Sequence, residues 1–130
     1  MLHAEFLKRI IGEIKSAGVR VSLFVDPAVK MVEGASAVGS DRIELYTEPY
    51  ASHYHKNRDK AIAPYKEAAD ATIKLGLGLN AGHDLDLNNL RFLKQSIPYL
   101  DEVSIGHALI CDAIYLGLEN TIQLYLRELK

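Results

Sequence analysis

Cysteine is almost missing from this sequence of 130 residues: there is one, Cys111. No internal disulfide is possible, and the apolar neighbours of Cys111 mark it as a small buried hydrophobe. No run of about 18 apolar residues exists to span a bilayer, and the opening Met1-Leu2-His3-Ala4-Glu5 lacks the charged-then-apolar plan of a signal peptide. The expectation is a cytoplasmic protein with no membrane partner. Blocks of lysine and arginine are also lacking, and 15 basic against 17 acidic residues leave a formal charge of −2. A nucleic-acid partner is therefore not expected. What remains is ordinary for a globular chain, with 48% apolar and 25% charged residues. Such a length accommodates one core and one domain, residues 1–130.

The stretch Leu77-Gly78-Leu79-Asn80-Ala81-Gly82-His83-Asp84 organises the rest. An apolar run too short and too glycine-broken for a helix ends in a histidine, and helical periodicity begins at Leu87. An ionisable group where a buried strand opens into a loop is held rigidly yet reaches solvent, as chemistry on a parallel sheet requires. Val103-Ser104-Ile105-Gly106-His107 repeats the pattern.

In chain order, Phe6, Leu7, Ile10, Ile11, Ile14 and Ala17 form a helical stripe that Gly18 caps. Val19 to Val25 reads as a strand, Asp26-Pro27 as the cap and first turn of a helix to about Val38, and Arg42 to Thr47 as a second strand. Glu48 to Asn57 lacks periodicity and reads as a long surface loop of the kind that forms lids. Arg58 to Leu75 is helical, with Pro64 in its first turn or kinking it, and Gly76 ends it. Asp86 caps a short helix that ends at Ile97-Pro98, and Glu102 to His107 is the fourth strand. Ile110, Ile114, Leu118, Ile122, Tyr125 and Leu129 mark one last helix. Strands joined by helical crossovers pair in parallel. Four such units make either a small open α/β sheet or half of a (β/α)₈ barrel, which needs eight units. Uncovered sheet edges favour joining another chain.

Three motifs mislead. Gly76-x-Gly78-x-x-Ala81 precedes and forms a strand, whereas a dinucleotide fingerprint follows one. Asp84-x-Asp86-x-Asn88 lacks the glycine and glutamate of a calcium loop, since Asn89 and Gln95 occupy those places. His53 and His55 have no third metal ligand nearby. No metal site is expected.

Val21-Ser22-Leu23-Phe24-Val25-Asp26-Pro27, Arg42-Ile43-Glu44-Leu45-Tyr46-Thr47 with Tyr50-Ala51, Asn80-Ala81-Gly82-His83, and Ser104-Ile105-Gly106-His107-Ala108-Leu109-Ile110 together resemble the pyridoxine 5′-phosphate synthase family. The resemblance covers the chain and corresponds to strand-helix units five to eight of that family's TIM (β/α)₈ barrel. It implies a ring-closing condensation of 3-amino-2-oxopropyl phosphate with 1-deoxy-D-xylulose 5-phosphate, giving pyridoxine 5′-phosphate, phosphate and water, with no cofactor. It also implies that His83 is the proton donor, that Glu44 stabilises charge in the transition state, and that Asp84, Gly106 and His107 stand where the aminoketone phosphate binds. A near-neutral imidazole suits proton transfer, and barrels bind phosphate after their seventh and eighth strands. Asp26 is most simply a helix cap and stays outside the site.

Two positions depart from the family. Asp84 and Glu48 stand where glycine is common, and Asp84 adds negative charge beside an expected phosphate. The family's two proton acceptors and its deoxyxylulose phosphate ligands belong to the first half of the barrel. The expected partners are small phosphorylated substrates together with a complementary amino-terminal half or a second copy in a homo-oligomer. A non-catalytic phosphate-binding half-barrel serving assembly is the alternative.

Overall fold

The computed structural model describes residues 3–130. Helix α1 (Ala4–Ser16) leads to strand β1 (Ser22–Val25), followed by α2 (Val29–Ala37), β2 (Arg42–Tyr46), α3 (Glu48–Lys74), β3 (Gly78–Gly82), α4 (Leu90–Ser96), β4 (Glu102–Ser104), α5 (His107–Leu116) and α6 (Leu118–Glu128). All strand pairs are parallel, and the sheet order β1-β2-β3-β4 is the sequence order. Parallel crossovers share one hand. Successive crossovers that never reverse direction therefore put every helix on the same face, the winding of a (β/α)₈ barrel rather than of a doubly wound sheet. The fold is four units of such a barrel.

The two faces of the sheet differ as that winding requires. Leu23, Val25, Ile43, Leu45, Leu79, Ala81 and Val103 pack towards the helices in the core, with Val32, Ala35, Tyr65, Ala69, Leu90 and Leu93. The alternate residues, Phe24, Arg42, Glu44, Tyr46, Asn80, Gly82 and Ser104, occupy the helix-free face. Phe24 is accordingly 56% exposed. At the amino-terminal end of this face Arg42 lies flat across Gly78, where an added Cβ would come within 2.9 Å of the guanidinium carbon. From there Arg42 donates to Asn80 Oδ1 (2.6 Å) and pairs with Glu102 (3.1 Å), which also accepts from Asn80 Nδ2 and Arg20.

Several expectations are corrected. Glu48 to Asn57 is helix, not loop, and forms the first part of α3. Its inward face consists of Tyr50 and Tyr54, too few apolar residues for a visible period. The kink falls at Asn57 (φ −164°, ψ 91°) rather than at Pro64, and Asn57 Oδ1 caps the continuing helix by accepting from the Lys60 amide (2.9 Å). The last helix is two, divided at Gly117 with φ 79°. Tyr125, donating to Asp112 Oδ2 (2.8 Å), ties α6 back onto α5. Cys111 is exposed, because none of the residues of α5 is buried. Within the α1 stripe only Ile11 is buried, and Phe6 and Ile14 face solvent. Strand β1 begins at Ser22, where pairing with Arg42 starts, and β4 ends at Ser104. Helix α2 begins at Val29 after Ala28, so Asp26 caps nothing with its side chain. Asp86 is not the cap of α4, whose cap position is Asn89; its carboxylate accepts from the amides of Asn88 (2.8 Å) and Asn89 (3.0 Å) in the turn that leads into the helix. Among the described residues no helix is long and apolar enough to cross a membrane.

Candidate active site

At the carboxy-terminal ends of the strands lies an open cavity of about 550 Å³. Glu44 from β2, His83 and Asp84 after β3, and Gly106 and His107 after β4 all line it, so every site residue expected from the sequence reaches one place. Asp86 and Ser104 line it as well, and neither was expected. Ser104 was legible in principle, since its register partner Gly82 shares the face of Glu44.

Glu44 is held where it is by what is missing beside it. Its Oε1 occupies the place that a Cβ on Gly82 would fill, and Ser104 Cβ stands 3.0 Å from the same point. A glycine at the end of β3 thus gives the carboxylate its seat.

His83 has φ 95° and Asp84 φ 55°, the two positive-φ residues other than glycine among those described. Residues in such regions each cost of order 1–3 kcal/mol and persist where their surroundings over-determine them, commonly at functional sites. The value at Asp84 lies in the left-handed region, which glycine adopts without steric cost. Aspartate is among the few side chains that tolerate the left-handed region. The Asp84 carboxylate turns towards its neighbour, with Oδ2 3.2 Å from His83 Nδ1.

The ring of Tyr46 meets the His83 imidazole edge-on at 5.1 Å, and Phe24 packs edge-on against Tyr46 at 5.4 Å. Burial, followed by the charges of Glu48, Asp84 and Asp26, pushes the Tyr46 phenol above its ordinary pKa, so the ring beside His83 is uncharged at neutral pH. Alternation along β2 puts Tyr46 on the face of Glu44, a signal the sequence contained. Glu48, expected on a mobile loop, is instead the first residue of α3, where a carboxylate complements the helix dipole.

The cavity is lined by two imidazoles, those of His83 and His107, by three carboxylates counting Asp86, and by the start of a helix at Gly106-His107. Such a set is chemically able to transfer protons and to bind a small polar ligand at a rigid position. Among the described residues no three His, Cys, Asp or Glu side chains form a metal-ligand group.

Residues 1–130 match the family model for pyridoxal phosphate biosynthesis protein PdxJ. The chain belongs to this family. A PdxJ relative from Cytophaga hutchinsonii, pyridoxine 5′-phosphate synthase, is 68% identical over 128 residues, which are 98% of this chain and 54% of the relative. Pyridoxine 5′-phosphate synthases from Christiangramia forsetii and Bacteroides thetaiotaomicron are 58% and 59% identical, over 98% and 95% of this chain and 54% and 52% of their own length. The chain spans about half the length of these curated PdxJ relatives, in agreement with four units of an eight-unit barrel.

Proposed function

We propose that residues 1–130 form one structural unit, the carboxy-terminal half-barrel of a cytoplasmic pyridoxine 5′-phosphate synthase, which condenses 3-amino-2-oxopropyl phosphate with 1-deoxy-D-xylulose 5-phosphate. The observation that carries this reading is the convergence of Glu44, His83, Gly106 and His107 on one cavity at the strand ends of a PdxJ-family chain. His83 donates a proton to the departing oxygen, and the Glu44 carboxylate stabilises positive charge as it develops. Gly106 and His107, opening α5, take the phosphate of the aminoketone. Asp84 contributes its backbone on the binding side while its carboxylate faces His83. The helix-free face of the sheet supports a requirement for four further strands, which supply the remaining acid-base groups and the second substrate's ligands.

The test is a joined protein in which this chain replaces the matching half of the Cytophaga hutchinsonii relative. It is expected to form pyridoxine 5′-phosphate from the two phosphates. A folded joined protein without turnover, still binding phosphate esters, favours the assembly-only alternative. His107→Ala in the same protein weakens binding of the aminoketone phosphate by about 1.5–3 kcal/mol, the worth of a charge-assisted hydrogen bond. Equal affinity by calorimetry removes His107 from the phosphate site.

Taken alone, the chain joins a second copy or a complementary half. Phe24 on the bare sheet face and Ile110, Ile114, Tyr115 and Leu118 on α5 and α6 are all more than half exposed, an apolar surface that solvent does not favour. Light scattering at micromolar concentration is expected to give a dimer or larger species. A monomer with slow amide exchange in all four strands contradicts this.

A further inference from the structure

We propose that Thr47 and Asn89 are positioning residues which hold the His83 imidazole over the cavity by fixing the two carbonyls of the left-handed turn that bears it. The proposal rests on the reading of His83 as proton donor.

Neither residue lines the cavity, and both are buried. The consecutive positive-φ residues His83 and Asp84 would relax if nothing held them. Each carbonyl accepts one hydrogen bond from a buried side chain: His83 O from Thr47 Oγ1, and Asp84 O from Asn89 Nδ2 at 3.2 Å. Thr47 stands at the cap position of α3, yet its hydroxyl makes no cap bond and reaches across to the turn instead. Its amide donates to Gly82 O (2.9 Å), so the residue grips the end of β3 at two successive carbonyls.

Asn89 is similarly engaged through each of its own polar groups. Its Oδ1 accepts from the Asp86 amide (3.0 Å), and its carbonyl accepts from Tyr50 Oη (2.6 Å). The Tyr50 amide donates to Tyr65 Oη, which donates to Tyr46 O (2.8 Å). Burial pushes the Tyr65 phenol up to about 12 and moves Tyr50 in the same direction, so both remain neutral donors. The connections therefore close on themselves. They leave β2 at Tyr46, run through Tyr65, Tyr50 and Asn89 to the turn, and return through the His83 ring to the Tyr46 ring. Fixing both the backbone and one edge of the imidazole leaves little freedom to the proton it carries, and misplacement by about 1 Å costs roughly 10²-fold in rate.

The joined protein tests this with Thr47→Val, Thr47→Ser and Asn89→Asp, the last replacing the donor to Asp84 O with a carboxylate oxygen that repels it. Thr47→Val and Asn89→Asp are expected to lower kcat about ten- to a hundred-fold while KM for the aminoketone phosphate stays within about two-fold, and Thr47→Ser is expected to restore kcat. The His83 ring resonances, set in part by the neighbouring Tyr46 ring, move in the first two variants and not in the serine variant. Unchanged ring resonances and kcat in both Thr47→Val and Asn89→Asp overturn the proposal, as does a serine variant as impaired as valine. If Thr47→Val does not fold, Asn89→Asp decides by the same readouts. If the unmodified joined protein shows no turnover, the functional reading fails, and the ring resonances still decide whether Thr47 and Asn89 position His83.

Discussion

His83→Asn in the joined barrel lowers kcat about 10²–10⁴-fold, the usual contribution of a positioned general acid, with affinity for the aminoketone phosphate nearly intact. Asparagine keeps a hydrogen-bonding side chain at the mouth of the cavity and takes away the transferable proton. His83→Ala should be only slightly worse. The division of labour follows from place: His83 stands on the turn after β3, against Tyr46, whereas Gly106 and His107 open α5 on the neighbouring unit. Asparagine also tolerates a positive φ better than most residues, so the variant leaves the turn in its conformation. Single-turnover measurements separate binding from chemistry. Near-normal turnover in His83→Asn makes the histidine structural and removes the central assignment. Loss of affinity alone makes it a phosphate ligand.

Gly82→Ala carries the second large effect, through Glu44. The added methyl meets Glu44 Oε1 and stands 3.0 Å from Ser104 Cβ, in a sheet whose registers Tyr46↔Gly82 and Gly82↔Ser104 allow no sideways escape. Overpacking of this kind costs about 1–3 kcal/mol, and denaturant unfolding is expected to show a midpoint shift of that size. The displaced carboxylate also leaves the cavity, so kcat falls beyond what instability explains. Adding Glu44→Ala to Gly82→Ala should return part of the stability without returning activity, because the two side chains then no longer compete for one volume. A neutral Gly82→Ala means that Glu44 has other room, and that its position above β3 is not enforced.

The sequence disclosed the parts of the fold that rest on short-range pattern. Runs such as Arg42 to Thr47 and Leu77 to Gly82 announced strands through β-branched and apolar density, and positive φ at Gly18 and Gly76 accords with helix ends read from glycine alone. Glu48 to Asn57 escaped because a helix that buries only Tyr50 and part of Tyr54 carries no apolar period. The division at Gly117 escaped because the spacing of Ile114 and Leu118 runs through it in register. His83, Gly106 and His107 were legible because each closes an apolar run at a strand end, whereas Glu44 and Asp84 came from the family resemblance. Thr47 was not legible, for its hydroxyl reaches a carbonyl 36 residues along the chain, and Asn89 was not, because its amide bonds back to Asp84 within an irregular turn that has no periodicity.

Arg42, flat across Gly78 and bonded to Asn80 and Glu102, settles a question that oil-and-water patterning leaves open. Alternation fixes which side of a strand is inward, yet sliding β3 along β2 by two residues would preserve that alternation completely. A slide in one direction would set Asn80 in place of Gly78 beneath the guanidinium, and a slide in the other would carry Asn80 two residues farther from Arg42. One basic side chain at the foot of the sheet thus acts as a keyway that admits a single alignment of three strands. Because the strands are stiff, the alignment chosen at the foot is the one that sets Glu44 beside Gly82 and Tyr46 beside His83 at the other end. The accuracy of the candidate site at the rim is decided several residues away from it, by a contact at the opposite end of the sheet.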